Sequence, residues 1–295
     1  MKLATLRKAT LRLAITDGQS FKLDRHNPAA VPDGLTAETA EALLASGISR
    51  LSALQERLYA QGSWALLCVF QAIDAAGKDS TIKHVMSGVN PQGVRVHSFK
   101  APGPDELAHD FLWRVSRELP PRGHIGIFNR SHYEEVLVSR LHPEILAHQG
   151  LPLSRQGKGF WRHRLEDIAS FERYLDRQGT VILKFFLHIS RDEQKRRFLE
   201  RMDTPSKTWK IAPSDISERA RWDDYMAAYE KAIAATATPH APWYVVPANH
   251  KWVARLMVVE AMIAALEGLN LHPPARDPQD SAWIAAARRQ LEQEG

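Results

Sequence analysis

One stretch constrains the fold more than any other: residues 64–83, which read WALLCVFQAIDAAGKDSTIK. Residues 64–70 are apolar, a run long enough for a buried strand and too short for a free-standing helix. A turn of small residues, 72–77, follows this run, and residues 80–87 carry apolar side chains at helical spacing. Backbone N–H groups of such a turn and of the helix N-terminus point at one spot, to which Lys78 adds a full charge. The stretch therefore predicts a phosphate-binding site.

The turn matches the phosphate-loop pattern G-x-x-x-x-G-K-[ST] only in part. Gly77 and Lys78 fit, but Ala72 stands at the first glycine and Asp79 at the hydroxyl that binds magnesium. The position of the G-K pair between a strand and a helix favours a phosphate site over an ordinary turn. A carboxylate beside a phosphate cradle is unfavourable unless a cation lies between them. Asp74 is therefore a candidate magnesium ligand or positioning group.

Composition is that of an ordinary globular protein, with 44% apolar and 25% charged residues in a chain of 295. The net charge of +5 and the pI near 9.3 suit a polyanionic partner. Cys68 is the single cysteine and lies in the apolar run, so an internal disulfide is excluded and a core role is favoured over a nucleophile. Neither a secretory signal nor a bilayer-spanning run is evident, so we expect a soluble, cytoplasmic protein without a membrane partner.

Further apolar runs along the chain are strand candidates: residues 94–99, 124–128, 181–189 and 243–246. Helical patterns alternate with them, at residues 36–59 (with a break near Ser46-Gly47), 104–117, 131–141, 191–201, 214–233 and 252–266. This alternation predicts an α/β fold with a five-stranded, mainly parallel sheet. We expect an irregular arm (1–34), one main domain (35–270) and a tail with a short helix (271–295).

Polar residues after the strands of a parallel sheet converge at its carboxyl edge, where ligands bind. Asp74, Lys78, Asn129, Arg130 and Asn249 occupy such places. Within the segment FNRSHYEE (128–135), Arg130 is suited to phosphate oxygens. Ser131 and Glu134 also form a capping-box pattern, and both interpretations can hold together. For His132 a structural, hydrogen-bonded role is favoured over a metal or base role.

A third segment, KRRFLERMDTPSKTWK (195–210), is rich in basic residues. A run of charge is usually a solvated helix face, but this one follows a strand of a phosphate-binding sheet. Kinases close a basic lid over the transferring phosphate, and Pro205 supplies a joint, so we interpret residues 195–215 as a lid. Lys83, His84, Lys100 and Arg114 could extend a basic track for a long phosphate chain. Aromatic residues that would stack bases are sparse along it, which argues against nucleic acid.

Three segments together resemble the polyphosphate kinase type-two family: AIDAAGKDSTIKH (72–84), IFNRSHYEEVLV (127–138) and the basic segment 195–210. The segments MSGVNPQGV (86–94) and WYVVPANHKW (243–252) are similar as well, and the likeness spans residues 40–267. The resemblance implies a P-loop kinase-like, three-layer α/β/α sandwich with a helical lid. It also implies transfer of a phosphoryl group from inorganic polyphosphate to a nucleotide, with magnesium.

By this resemblance, Asp74 and Lys78 match the family's Walker A acid and lysine, and Arg130 its Walker B arginine. Asn129 departs from the aspartate of members that prefer nucleoside diphosphates. Asn129 and Glu134 resemble the class III subgroup, which accepts both AMP and ADP. Phosphate contacts are expected from the loop, the following helix, the Walker B strand and the lid, at Ala75, Ala76, Gly77, Asp79, Ser80, Lys83, Asn129, Arg196, Arg197, Arg201, Lys207 and Lys210.

We therefore expect direct in-line transfer to AMP or ADP, with catalytic roles for Asp74, Lys78, Arg130 and Glu134. Magnesium is expected at Asp74 and Glu134, with Mn²⁺ as a second candidate metal. Adenine nucleotides are the expected acceptors, guanine nucleotides are further candidates, and a homo-oligomer is expected. One alternative is an ATP-dependent nucleoside monophosphate or small-molecule kinase of the same fold. Another is a non-catalytic polyanion-binding protein, against which the acidic residues beside the basic ones argue.

Overall fold

The apolar run at residues 64–70 forms part of a central strand in a six-stranded sheet. The computed structural model describes residues 1–273 and 278–294. In this part of the chain the strands are β1 (Ala14–Ile15), β2 (Ala65–Gln71), β3 (Val94–Ser98), β4 (Ile125–Asn129), β5 (Thr180–His188) and β6 (Trp243–Pro247). Their order across the sheet is β1-β6-β5-β2-β4-β3. All neighbours are parallel except β1, which runs antiparallel to β6.

Helices cover both faces of this sheet. They are α1 (Leu3–Leu11), α2 (Ala37–Gln61), α3 (Lys78–Val85), α4 (Pro104–Leu107), α5 (Trp113–Arg117), α6 (Glu134–Leu141), α7 (Pro143–Ala147), α8 (Phe160–Arg177), α9 (Arg191–Met202), α10 (Pro213–Ala220), α11 (Trp222–Thr236), α12 (Lys251–Glu267) and α13 (Pro278–Glu292). One group consists of α1, α2, α3 and α12, and the other of α6, α8 and α11. Every residue of β2 is buried, as expected for a parallel strand with helices on both sides. The predicted α/β sandwich is confirmed.

All five predicted strands are present, and the sheet gains a sixth strand from a segment that we expected to be irregular. The interpretation of residues 1–34 as irregular is wrong, because α1 and β1 lie there. β1 has only two residues, too few for a periodic signal, and pairs Ala14 with Tyr244 at the edge of β6. Arg7 on α1 forms ion pairs with Glu260 and Glu267 on α12. The ends of the main domain stay predictions.

Three predicted helix boundaries differ from the structure. Helix α2 is continuous through Gly47, so the predicted break is wrong. This glycine lies close to α12, where a Cβ would be 3.1 Å from Val259 Cγ1. Residues 104–117 form two short helices, α4 and α5, instead of one. Residues 213–236 likewise divide into α10 and α11 at Arg221, and Ser214 is not a cap.

The tail contains the exposed helix α13, while the proline-rich residues 274–277 lie outside the described residues. No helix in the described ranges is long and apolar enough to cross a bilayer.

Candidate active site

The loop between β2 and α3 forms the floor of the site. Ala75 has φ +61° and Gly77 φ +101°, so the chain turns sharply through the left-handed region before α3 begins at Lys78. Lys78 is buried and its Nζ donates a hydrogen bond to the carbonyl of Ala72, at 2.7 Å, which closes the loop on itself. Burial lowers the pKa of Lys78, while the nearby carboxylate of Asp74 acts in the opposite direction. The residue at the first-glycine position thus contributes its carbonyl to the lysine.

Arg130 joins this loop to the neighbouring strand. β2 and β4 run parallel with Phe70 beside Asn129, so the residues that follow each strand lie side by side. The N–H of Arg130 donates to the carbonyl of Phe70 at 3.0 Å, with φ at +64°. Its guanidinium lies between two carboxylates, 3.2 Å from Asp74 and 3.7 Å from Glu134. The structure therefore brings the predicted acid, lysine and arginine to one point.

The charges at this point affect one another. The pKa of Arg130 is raised chiefly by the carboxylate of Glu134. Burial raises the pKa of Glu134, and the charges of Arg130 and Lys78 oppose that effect. A buried, ionised carboxylate without a partner would destabilise the folded protein, and the guanidinium of Arg130 offsets this effect at Glu134.

Asn129 connects the end of β4 to the start of α3. Its Nδ2 donates to Asp79 Oδ1 at 2.6 Å and to Ser98 Oγ at 3.4 Å. Ser80, the next residue of α3, receives a hydrogen bond from Arg255 of α12 at 2.9 Å. Asp79, which stands where the phosphate-loop pattern has a hydroxyl residue, is therefore paired with the side-chain amide of Asn129.

A cleft of about 620 Å³, here called the loop cleft, opens above these residues. The loop lines this cleft together with Lys100, Arg201, Trp209 and Lys210 from other segments of the chain. Two smaller chambers adjoin it. The aromatic chamber, about 430 Å³, is lined by Trp222, Tyr225 and Tyr229 among others, and the apolar chamber, about 350 Å³, by Phe99, Leu107 and Ile145 among others. Arg130 lines all three spaces, so it marks the place where ligands in them would meet.

The structure separates the predicted phosphate-binding residues into two sets. Those that line the loop cleft are Ala75, Ala76, Gly77, Asp79, Ser80, Asn129, Arg201 and Lys210. Those that do not are Lys83, Arg196, Arg197 and Lys207. Arg196 is exposed and paired with Glu193 and Glu200, whereas Arg197 is buried and donates to backbone carbonyls. Asn249 also lies outside the cleft and bonds Ser190 at the start of α9.

The residues after Arg130 differ from the capping-box prediction, which is wrong. Helix α6 begins at Glu134 and has no side-chain cap. The Oγ of Ser131 instead accepts hydrogen bonds from the Gln71 side chain at 3.2 Å and from the Tyr133 N–H at 3.1 Å. His132 is buried with its Nε2 3.6 Å from the carboxylate of Glu172, so it lies in the core as the structural interpretation expects. The hydrogen bonding expected of it is wrong, because neither ring nitrogen has a hydrogen-bond partner among the described residues.

A buried polar network under this turn was missed by the sequence reasoning. The Nζ of Lys184 on β5 donates to Glu172 at 2.5 Å and to the Thr236 carbonyl at 2.7 Å. Tyr133, directly before Glu134, bonds Glu172 at 2.8 Å. Burial lowers the pKa of Lys184, and the charge of Glu172 opposes this. A lysine inside the apolar run TVILKFFLH was the available signal, because a buried charge requires a partner.

Comparison with known proteins finds relatives that cover nearly the whole chain. The family model of polyphosphate kinase 2 (PPK2) matches residues 34–273. An ADP-polyphosphate phosphotransferase of Rhodopseudomonas palustris is 46% identical over 283 residues, covering 96% of this chain and 98% of that protein. An AMP/ADP-polyphosphate phosphotransferase of Meiothermus ruber is 46% identical over 260 residues, covering 88% and 92%.

A solved structure extends the likeness to the fold. The crystal structure of polyphosphate kinase 2 from Arthrobacter aurescens superposes with a TM-score of 0.84 at 41% identity, covering 95% of each chain. The family match includes every residue of the loop cleft and of the predicted lid. The resemblance inferred from the three motifs is confirmed: this chain belongs to the polyphosphate kinase 2 family.

Proposed function

We propose that this protein transfers the terminal phosphoryl group of inorganic polyphosphate to AMP and ADP, giving ADP and ATP. The observation that carries the proposal is the meeting of Asp74, Lys78 and Arg130 in one cleft that three further basic side chains also line. The names of the two relatives, which are 46% identical to this chain, support polyphosphate as donor and AMP or ADP as acceptor.

The proposed step is an in-line displacement. An oxygen of the nucleotide phosphate attacks the terminal phosphorus of the chain, the bridging P–O bond breaks, and a polyphosphate shorter by one unit leaves. The developing negative charge falls near Lys78 and Arg130, whose fixed positive charges stabilise it. The donor chain extends past Lys100, Arg201 and Lys210 in the loop cleft. The nucleoside has two adjoining chambers available beside Arg130 and Glu134.

A divalent cation is required by phosphotransferases of this kind, and we propose magnesium, with Asp74 and Glu134 as its protein ligands. The described residues contain no cluster of three or more metal-binding side chains. This donor set fits magnesium, which keeps several waters and uses one or two carboxylates together with substrate phosphates. Bound magnesium supplies charge neutralisation on the phosphoryl oxygens. In the structure both carboxylates contact Arg130, so metal binding would loosen those ion pairs.

The test is phosphoryl transfer by purified protein in the absence of ATP. Polyphosphate and magnesium are mixed with AMP, ADP, GMP or GDP, and products are followed by ³¹P NMR; Mn²⁺ is tested in parallel. Lys78→Ala should remove most activity, whereas Lys231→Ala, an exposed lysine on α11, should not. A parallel reaction contains ATP in place of polyphosphate, and products formed only in that reaction would favour the ATP-dependent kinase. Binding of polyphosphate without turnover in either reaction would favour the non-catalytic protein. Light scattering tests the expected homo-oligomer, and the guanine acceptors test base preference.

A further inference from the structure

Two buried side chains of α9 contact the phosphate loop, and neither of them lines the loop cleft. Gln194 and Arg197 are three residues apart, so they lie on the same face of the helix. The Nε2 of Gln194 donates to the carbonyl of Asp74 at 3.0 Å. The Nη1 of Arg197 donates to the carbonyls of Ala75 at 3.2 Å and Ala76 at 2.6 Å. Three successive carbonyls of the loop are therefore bonded to α9.

The other donors of Arg197 are occupied as well. Its Nη2 bonds the carbonyls of Ala248 and Asn249, and its Nε bonds Glu193 at 2.6 Å. An arginine has five N–H groups, and all five have protein acceptors here. The side chain is 4% exposed, so Arg197 has neither a donor nor a surface to offer a phosphate. Arg197 can therefore affect a bound phosphate only through the backbone of the loop that it holds.

The consequence of these bonds follows from peptide geometry. In a planar trans peptide the carbonyl of one residue and the N–H of the next point in opposite directions. Holding the carbonyls of Asp74 and Ala76 against α9 therefore turns the N–H groups of Ala75 and Gly77 away from α9, and both of these residues line the loop cleft. The N–H of Ala76 closes the turn on Ile73 at 3.3 Å, whereas those of Ala75 and Gly77 have no acceptor within the described part of the chain.

The backbone angles support the same conclusion. Ala75 is a non-glycine residue at φ +61°, a conformation that persists only when the surroundings hold it. Alternation of right- and left-handed residues produces the concave set of N–H groups that binds anions. The bonds from α9 to the carbonyls of Asp74 and Ala75 flank this residue on both sides, and they add to the bonds that the loop makes within itself.

We propose that Gln194 and Arg197 are positioning residues that aim the N–H groups of Ala75 and Gly77 at the phosphate chain. The inference rests on the proposed function for the identity of that chain. The same hydrogen bonds connect the predicted lid to the phosphate loop. Helix α9 carries Arg201, which lines the cleft, and leads to the segment that contains Lys210.

The test measures binding of inorganic tripolyphosphate by calorimetry, together with steady-state KM and kcat. Gln194→Met keeps the size of the side chain and its zero charge but removes the donor. Arg197→Lys keeps the charge but cannot span the separate carbonyls. Arg7→Lys is the matched control, since it makes the same change at a guanidinium whose partners, Glu260 and Glu267, lie outside the cleft. Thermal unfolding of each variant is measured alongside.

We expect tripolyphosphate Kd to rise about tenfold in Arg197→Lys and about threefold in Gln194→Met, with Arg7→Lys unchanged. KM for polyphosphate should rise in the same order, while KM for the nucleotide stays within about twofold. Folded variants that bind tripolyphosphate as the wild type does would overturn the inference, even if transfer proceeds normally. Wild-type protein that binds tripolyphosphate but transfers nothing would count against the proposed function and leave the loop inference standing. Wild-type protein that binds none would contradict both.

Discussion

Replacing Asn129 by aspartate should destabilise the folded protein when no divalent metal ion is present. The substitution keeps the shape of the side chain but exchanges an amide that donates to Asp79 at 2.6 Å for a second carboxylate. Two unit charges at that separation repel by about 1.6 kcal/mol even with the permittivity of water. Loss of the hydrogen bond adds about 1 kcal/mol, and relaxation of these partly exposed side chains removes part of the sum. We expect the free energy of unfolding to fall by about 1–2 kcal/mol.

The measurement is equilibrium unfolding in urea, with and without millimolar magnesium. Magnesium should recover most of the loss in Asn129→Asp, because a cation between two carboxylates removes their repulsion. The matched control is the exchanged pair, Asn129→Asp with Asp79→Asn, which restores an amide beside a carboxylate and should regain stability without metal. The reasoning is refuted if Asn129→Asp is as stable as the wild type in the absence of magnesium, or if the exchanged pair is no more stable than the single variant.

Further predictions concern the supports of the site. Lys184→Met should lower the free energy of unfolding by about 3 kcal/mol because it leaves Glu172 buried without its cation, and adding Glu172→Leu should recover most of that loss in urea unfolding. Gly77→Ala should cost about 1–2 kcal/mol in the same assay, since its φ is +101°; an unchanged midpoint would contradict the left-handed turn. Burial raises the pKa of the Glu134 carboxyl, so the folded protein binds a proton at this group more tightly than the unfolded chain does. The contribution of Glu134 to the free energy of unfolding therefore increases as pH falls. Glu134→Gln should therefore melt higher than the wild type at alkaline pH, with the gap closing on acidification, and a pH-independent gap would contradict this sign.

The centre of the sheet was predictable because its strands β2, β5 and β6 are buried on both faces. Such strands are continuous apolar runs, which the sequence shows directly at β2 and β5. Parallel strands place their carboxyl ends together, so the convergence of Asp74, Lys78 and Arg130 could be inferred before any coordinates. By contrast, β1 is too short for a pattern and depends on an edge that only the folded sheet supplies.

Charge alone did not reveal the direction in which a basic side chain points. Arg196, Arg197 and Arg201 belong to one run, yet the first faces solvent beside acids, the second turns inwards to carbonyls and the third lines the cleft. These orientations follow from the helical phase of α9 against the loop, which is a tertiary contact. The capping pattern at Ser131 failed for a similar reason, since Gln71 on β2 competes for its hydroxyl.

Adenosine 5′-pentaphosphate offers the most direct test of whether donor and acceptor meet in one cleft beside Lys78 and Arg130. This molecule contains AMP joined to a phosphate chain, so it should occupy both substrate sites at once. We expect it to bind at least about 100-fold more tightly than either AMP or tripolyphosphate, and to compete with both. Lys78→Ala should abolish most of this advantage. A Kd no lower than that of the separate ligands, or competition with only one of them, would show that the two substrates do not meet at Arg130.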